Sequence, residues 1–148
     1  MQPSNQKTGV EPFTLASSQR VVLQIEDNEA NANLVKQLIE RRSDLALLTA
    51  STGLQGIAMA LAHLPNVILL DINLPDISGY EALAALRANP LTYRIPVIAL
   101  SSNAYKNQIQ GGLEAGFFRY VTKPFKLDEL VKTIDLALDT AAEATPSA

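Results

Sequence analysis

The 148-residue chain contains no cysteine. Disulfides and thiolate-bound metals are therefore excluded, and the absence fits a reducing compartment. Histidine occurs once, as His63 at a helix end before Pro65, a surface position rather than a metal ligand or relay histidine. No stretch approaches the roughly 20 apolar residues of a membrane helix. The first residues, "MQPSNQKTGVEPFTLASSQ", lack the basic-then-apolar layout of a secretory signal, so a cytoplasmic location is expected. Basic residues are not in excess: 12 Lys and Arg face 15 Asp and Glu, for a net charge of -3. Binding to a nucleic-acid backbone needs a clustered basic surface, so nucleic acid is not the expected partner. No repeat at solenoid spacing is present.

What is there suits one soluble domain. Hydrophobic residues make up 47% of the chain and charged residues 18%, ordinary values for a globule. Residues 1–19 are polar and proline-containing and read as a flexible arm, in which Phe13 and Leu15 are the groups able to dock locally. Residues 20–139 form the domain, and 140–148, "TAAEATPSA", read as a fraying tail.

Within the domain, strand and helix patterns alternate five times. "RVVLQI" (20–25) is apolar and β-branched, and a helix with Leu34, Val35, Leu38 and Ile39 on one face follows. "LALLTA" (45–50) is the second strand; Thr52 and Gln55 then give a capping-box pattern opening a helix through Ala62. "NVILLD" is the third strand, followed by a second box at Ser78 and Glu81 and a helix lined by Leu83 and Leu86. "IPVIAL" (95–100) is the fourth strand, and the helix behind it spans about Ala104 to Ala115, ending at Gly116. "FRYVT" (118–122) is the fifth strand, and the last helix carries Leu127, Leu130, Val131, Ile134 and Leu138 as an amphipathic stripe. Five βα units with short connections predict a parallel sheet covered by helices on both faces, with strand order 2-1-3-4-5.

The third strand raises the functional question. "VILLDINLPD" is a doubly buried apolar run that ends on a carboxylate, Asp71, and then breaks. An acid is costly there unless it sits at the strand's mouth, and ligands of open α/β sheets bind at the carboxyl ends of strands. Glu26 and Asp27 follow the first strand, Ser101 the fourth, and Lys123–Pro124 the fifth. Three acids, a hydroxyl and an ammonium thus converge on one edge. Close carboxylates share protons or hold a cation, and oxygen-only donors favour a hard ion such as Mg²⁺. A carboxylate held this way, with Lys123 and Ser101 beside it, is set up to attack a phosphoryl group.

In this order, "VVLQIEDNEAN", "VILLDINLPDISGYE", "VIALSSNA" and "YVTKPF" resemble the receiver domains of two-component response regulators over about residues 20 to 139. The resemblance implies a flavodoxin-like doubly wound (βα)5 sandwich. It implies that Asp71 accepts phosphate from a histidine kinase or phosphotransfer protein. Asp27 would bind Mg²⁺ directly, Glu26 more loosely, and the Asn73 carbonyl would be a further ligand beside Asp71. Ser101 would turn in toward the phosphoryl group with Tyr120 following, Lys123 would pair with it, and the Lys123–Pro124 bond would be cis. The surface at the fourth helix and fifth strand would then change and receive a partner or a second copy of the chain. Phe118, Arg119, Tyr105 and Lys106 are its candidates, with Phe117, Arg119 and Val121 expected on one side of the strand and Phe118 and Tyr120 on the other.

The sequence departs from the family pattern at several places. Glu26 stands where aspartate is commoner, Ser101 where threonine is frequent, and Ser102 where alanine is; Phe117, Phe118 and Arg119 replace small or acidic residues. Singly, these features have plainer readings. Glu26 and Asp27 can cap a helix, Lys123 can be solvated before a turn proline, Ser101 can be a loop serine, and Tyr120 a half-buried strand aromatic. A haloacid-dehalogenase-like phosphatase also uses an aspartyl nucleophile, but its general acid two residues on is here Asn73. A flavodoxin-like flavin binder needs a loop without the acidic "EDNEANAN". A phosphorylation-inert receiver would act only as an interaction module. After the last helix only a short tail remains, which leaves a free-standing regulator or a receiver cut from a hybrid histidine kinase.

Overall fold

The first four strands are short apolar runs and the fifth is a mixed one, and each is followed by a helix, so the order of elements follows from the pattern. A computed structural model describes residues 19–103 and 105–144. β1 (Arg20–Ile25), β2 (Leu45–Ala50), β3 (Val67–Asp71), β4 (Val97–Ser101) and β5 (Arg119–Thr122) form one sheet in the order 2-1-3-4-5, all parallel. Between them run α1 (Glu29–Glu40), α2 (Gly53–His63), α3 (Gly79–Arg87) and α4 (Lys106–Ala115), and α5 (Leu127–Ala144) follows β5.

The sheet separates two cores. Val35, Leu38 and Ile39 of α1 and Leu130, Ile134 and Leu138 of α5 pack on Val22, Leu69, Ile98 and Val121. Ala60 of α2 and Ala82, Leu83 and Leu86 of α3 cover Leu23, Ile25, Ile68, Leu70 and Ala99 on the other face. Every residue of β3 and β4 is buried. That is why these strands read as continuous apolar runs rather than as alternating ones. Removing one of these side chains, as in Leu69→Ala, is expected to cost about 2–5 kcal/mol.

Helix caps fix where the loops turn. Asn28 caps α1 by accepting from the Asn31 amide. Ser78 and Glu81 form a complete capping box on α3. At α2 the expected box is only half made: Thr52 accepts from the Gln55 amide, but Gln55 Oε1 reaches past Thr52 to the amide of Ser51. Leu64 ends α2 in the left-handed region at φ 47°, and Gly116 ends α4 at φ 118°, where a glycine is unstrained.

Several boundaries shift by one or two residues, and three differences bear on the reading. α5 continues through 140–144, beyond the tail boundary, because "TAAEA" is rich in strong helix formers. The expected start of the fourth helix, Ala104, lies outside the described residues, as does the arm before Gln19; the helix runs from Lys106. β5 begins at Arg119, so strict alternation does not extend back to Phe117 and Phe118. Phe117 and Tyr120 consequently share the α2/α3 core, while Phe118 packs with Val121 on the α1/α5 side. The expected pairing of Phe117 with Val121 is thereby corrected: the two phenylalanines lie in the turn before the strand, where no pleat dictates their sides.

Candidate functional site

The parallel register decides which residues meet. Ile25 pairs with Leu70, Asp71 with Leu100, and Ser101 with Thr122. The residues one step past these pairs therefore emerge at the same carboxyl edge, and Glu26, Asp27, Asp71, Ser101 and Lys123 all lie there.

Glu26 and Asp71 are each only 4% exposed, Ser101 2%. Charged groups at such depth need partners. Lys123 supplies one to both acids: its Nζ lies 3.0 Å from Glu26 Oε1 and 3.2 Å from Asp71 Oδ2. The other Asp71 oxygen accepts from the Asn73 amide at 3.0 Å, which brings the Asn73 backbone against the carboxylate. Glu26 Oε2 accepts from the Asn28 amide at 3.3 Å, joining the site to the cap of α1. Asp27 is exposed. One oxygen from each of Glu26, Asp27 and Asp71 can be chosen so that all lie within 4.8 Å of one another.

Burial is the largest influence on the Glu26 carboxyl. It pushes the Glu26 carboxyl up to about 6, helped by the neighbouring Asp71 and opposed by Lys123. Three carboxylates against one ammonium leave an excess of negative charge. The donors are hard oxygens with no nitrogen or sulfur among them, and two of the three sit at a depth where a counter-ion relieves a desolvation cost. Those properties fit Mg²⁺.

Ser101 Oγ accepts from the Asn103 amide at 3.1 Å, and the Ser101 carbonyl accepts from the Lys123 amide at 2.7 Å. Hydroxyl and ammonium are thus tied through the backbone of adjacent strands. The Lys123–Pro124 bond is cis. Tyr120 is half-buried on the α2/α3 core, its ring against Gly112 of α4. A hollow lined by Glu26, Asp27, Lys36, Thr49 and Gln55 opens on one side of the acids. Another, lined by Asn73, Ser102, Asn103 and Tyr105, opens on the other.

Sequence reasoning missed several residues that shape this edge. Asp76 binds the amides of Gly53 and Leu54 across a gap of more than 20 residues in sequence, and nothing local in "LPDISG" marks that contact. Gly79 is required by packing: a Cβ there would sit 2.8 Å from the Asp71 carbonyl oxygen. Its signal was available, since it follows the Ser78 cap at the first helical position. Arg42, bound to Asp44 and Asp135, ties the turn between α1 and β2 to α5 away from the site. A hollow at the opposite, amino edge includes Arg87, whose guanidinium donates to the carbonyls of Tyr93, Ile95 and Gly116.

Comparison with known proteins gives a consistent result. Residues 22–135 match the family described as the response regulator receiver domain. The chain is 35% identical over 120 residues to the polar-differentiation response regulator DivK of Brucella ovis, covering 81% of this chain and 97% of that one. Among solved structures, the receiver domain of the sensor histidine kinase PA1611 from Pseudomonas aeruginosa superposes with a TM-score of 0.75 at 29% identity. The alignment covers 82% of this chain and 98% of that one, and a magnesium ion is coordinated in the active-site cleft of that structure. A CheY-like receiver domain protein from Methanospirillum hungatei gives a TM-score of 0.76 at 27% identity, over 86% of this chain and all of that one.

Proposed function

The chain belongs to the response-regulator receiver family, and we propose that Asp71 is its phosphoacceptor, served by Mg²⁺ held between Glu26, Asp27, Asp71 and the Asn73 carbonyl. The observation that carries this reading is the Lys123 ammonium bridging two buried carboxylates at the carboxyl edge of the sheet. No phosphoryl group can enter such a cluster without cationic help.

In the reaction, a carboxylate oxygen of Asp71 attacks the phosphorus of a phosphohistidine on a histidine kinase or phosphotransfer protein. The new O–P bond replaces the P–N bond, and the imidazole leaves with the electron pair and takes up a proton. Bound Mg²⁺ supplies positive charge against the transferring oxygens. Lys123 exchanges its contact with Asp71 for one with the phosphoryl group, and Ser101 donates a hydrogen bond to a phosphoryl oxygen. The chain catalyses only its own phosphorylation and slow self-dephosphorylation, because position 73 carries an amide and not a general acid.

The product differs from the resting state by charge at one buried point. Ser101 and Tyr120 carry that change toward α4 and β5. There Tyr105 is 74% exposed, and the Arg119 guanidinium lies 4.5 Å over the Phe118 ring. This surface is the proposed contact for a downstream protein or a second copy of the chain. Among the described residues, no helix is long and apolar enough to cross a membrane.

The test is incubation of the protein with Mg²⁺ and acetyl phosphate, read by intact mass. One phosphoryl group is expected, and none on Asp71→Asn or after metal chelation. Labelling that survives Asp71→Asn removes the assignment. Release of phosphate from unrelated monoesters in many turnovers would instead favour a phosphatase.

A further inference from the structure

The start of α2 exposes amides that need partners, and its own cap satisfies only one of them. Thr52 Oγ1 accepts from the Gln55 amide at 3.1 Å. The amides of Gly53 and Leu54 instead donate to Asp76, one to each carboxylate oxygen, both at 2.8 Å. Asp76 belongs to another segment, the loop joining β3 to α3. The approach is close: a Cβ on Gly53 would fall 2.5 Å from the Ile77 side chain, so only glycine lets the two segments meet. A carboxylate also suits the positive end of a helix. These amides hold the Asp76 carboxyl below the usual carboxylate range.

The clamped loop is the one that carries Asn73. At its strand end the Ile72 amide donates to the Leu100 carbonyl at 3.0 Å, and the Ile72 carbonyl accepts from Gly79 at 2.8 Å. At its helix end Ser78 and Glu81 close the capping box. Asn73, Leu74 and Pro75 span the interval between Ile72 and Asp76. Leu74 packs on the core, and Pro75 has a fixed φ. Between these held ends, the Asp76 carboxylate adds an anchor to α2 three residues after Asn73.

We propose that Asp76 is a positioning residue for the metal: by locking the loop after the phosphoacceptor onto the amides of α2, it sets the Asn73 carbonyl against Glu26, Asp27 and Asp71. The inference rests on the metal site proposed above. Asp76 touches neither metal nor phosphate. It acts through backbone placement, as outer partners of metal ligands do.

A plain capping role predicts something different, and the two can be separated. Mg²⁺ binding to the unphosphorylated full chain is measured by calorimetry, alongside thermal melting. Four variants are compared with the wild type: Asp76→Ala, Asp76→Asn, Thr52→Ala and Asp27→Ala. Thr52→Ala removes a cap from the same helix without touching the loop, and is expected to lower the melting temperature while leaving Mg²⁺ affinity unchanged. Asp76→Ala is expected to weaken Mg²⁺ binding by about tenfold. Asp76→Asn, which keeps one acceptor oxygen, should weaken it less. Melting losses in both Asp76→Ala and Thr52→Ala with wild-type Mg²⁺ affinity would overturn the proposal. If Asp76→Ala does not fold, unchanged affinity in Asp76→Asn overturns it equally. Asp27→Ala guards the premise: wild-type affinity there, or no Mg²⁺ binding by the wild type, overturns the metal site itself and the inference with it.

Discussion

Gly112 of α4 lies so close to Tyr120 of β5 that a single added methyl group would stand 2.6 Å from ring atom Cδ2. The absent side chain is what lets the ring lie under the helix. Its neighbour Gly111 is different, with nothing within 4 Å of the corresponding position.

The two glycines therefore give opposite expectations. Gly111→Ala should stabilise the protein by about 1 kcal/mol, the helix-propensity difference between the two residues. Gly112→Ala gains the same propensity but drives the Tyr120 ring out of its place, so it should be neutral or destabilising. Urea melts measure the first effect, and tyrosine ring resonances the second. Equal stabilisation by both substitutions, with the ring signals unmoved, would refute the contact.

Glu26 predicts a pH dependence in metal-free protein. Its folded pKa, about 6, lies above the ordinary value of 4.5. The folded chain thus binds this proton more tightly than the unfolded chain does. The associated stability is fully present below pH 4.5 and is lost as pH rises through about 6. Its size is about 2 kcal/mol, from the free energy of a pKa unit. Asp44 and Asp76, whose carboxyls are lowered, lose stability only at more acid pH and leave this window clear. Urea melts in chelator at pH 4.5 and 7.5 should show the difference in wild type and its absence in Glu26→Gln.

Gln24 is fully buried in β1, and neither its side-chain nitrogen nor its oxygen has a hydrogen-bond partner among the described residues. It follows Val22 on the strand face turned toward α1 and α5. An unsatisfied buried polar group costs about 1–3 kcal/mol, and leucine has a similar volume. Gln24→Leu should accordingly raise stability by an amount in that range without changing Asp71 labelling. A loss of stability would reveal a polar partner for the amide, such as an internal water.

The proposed output surface calls for substitutions that spare the core. Phe118 packs on the α1/α5 core, so a charge there would confound binding with folding. Tyr105 and Arg119 are exposed. Tyr105→Ser with Arg119→Glu should keep the stability within about 1 kcal/mol of wild type, as surface changes do. Phosphorylation-dependent self-association or partner binding, followed by light scattering and titration, should weaken at least tenfold, about 1.4 kcal/mol. Full association with normal labelling would place the output surface elsewhere.

Much of the edge was legible in the sequence because strand ends are where a buried apolar run must stop. Asp71, Ser101 and Lys123 announce themselves as polar residues closing apolar strands, and a parallel sheet in this order brings those closures together. Helices with complete local signals were equally readable, as the Ser78–Glu81 box illustrates. Contacts made across the fold were not. Gln55 fits a box with Thr52 but bonds Ser51, and the amides left over at α2 are met by Asp76, a residue that reads locally as an ordinary turn acid. The period of β5 does not reach Phe117 and Phe118, because the strand starts only after them.

The salt bridge between Glu26 and Lys123 joins residues 97 positions apart, at the first and the last strand. The reactivity proposed for Asp71 is therefore a property of the closed fold and of no shorter stretch of chain. A denatured molecule, or one whose last βα unit has come loose, still carries the aspartate but has lost the ammonium beside it. Closing so long a loop is also entropically the most demanding contact in the site. Under the phosphoacceptor role proposed above, labelling of Asp71 would require the assembled fold, and its loss on partial unfolding would report the detachment of the last βα unit.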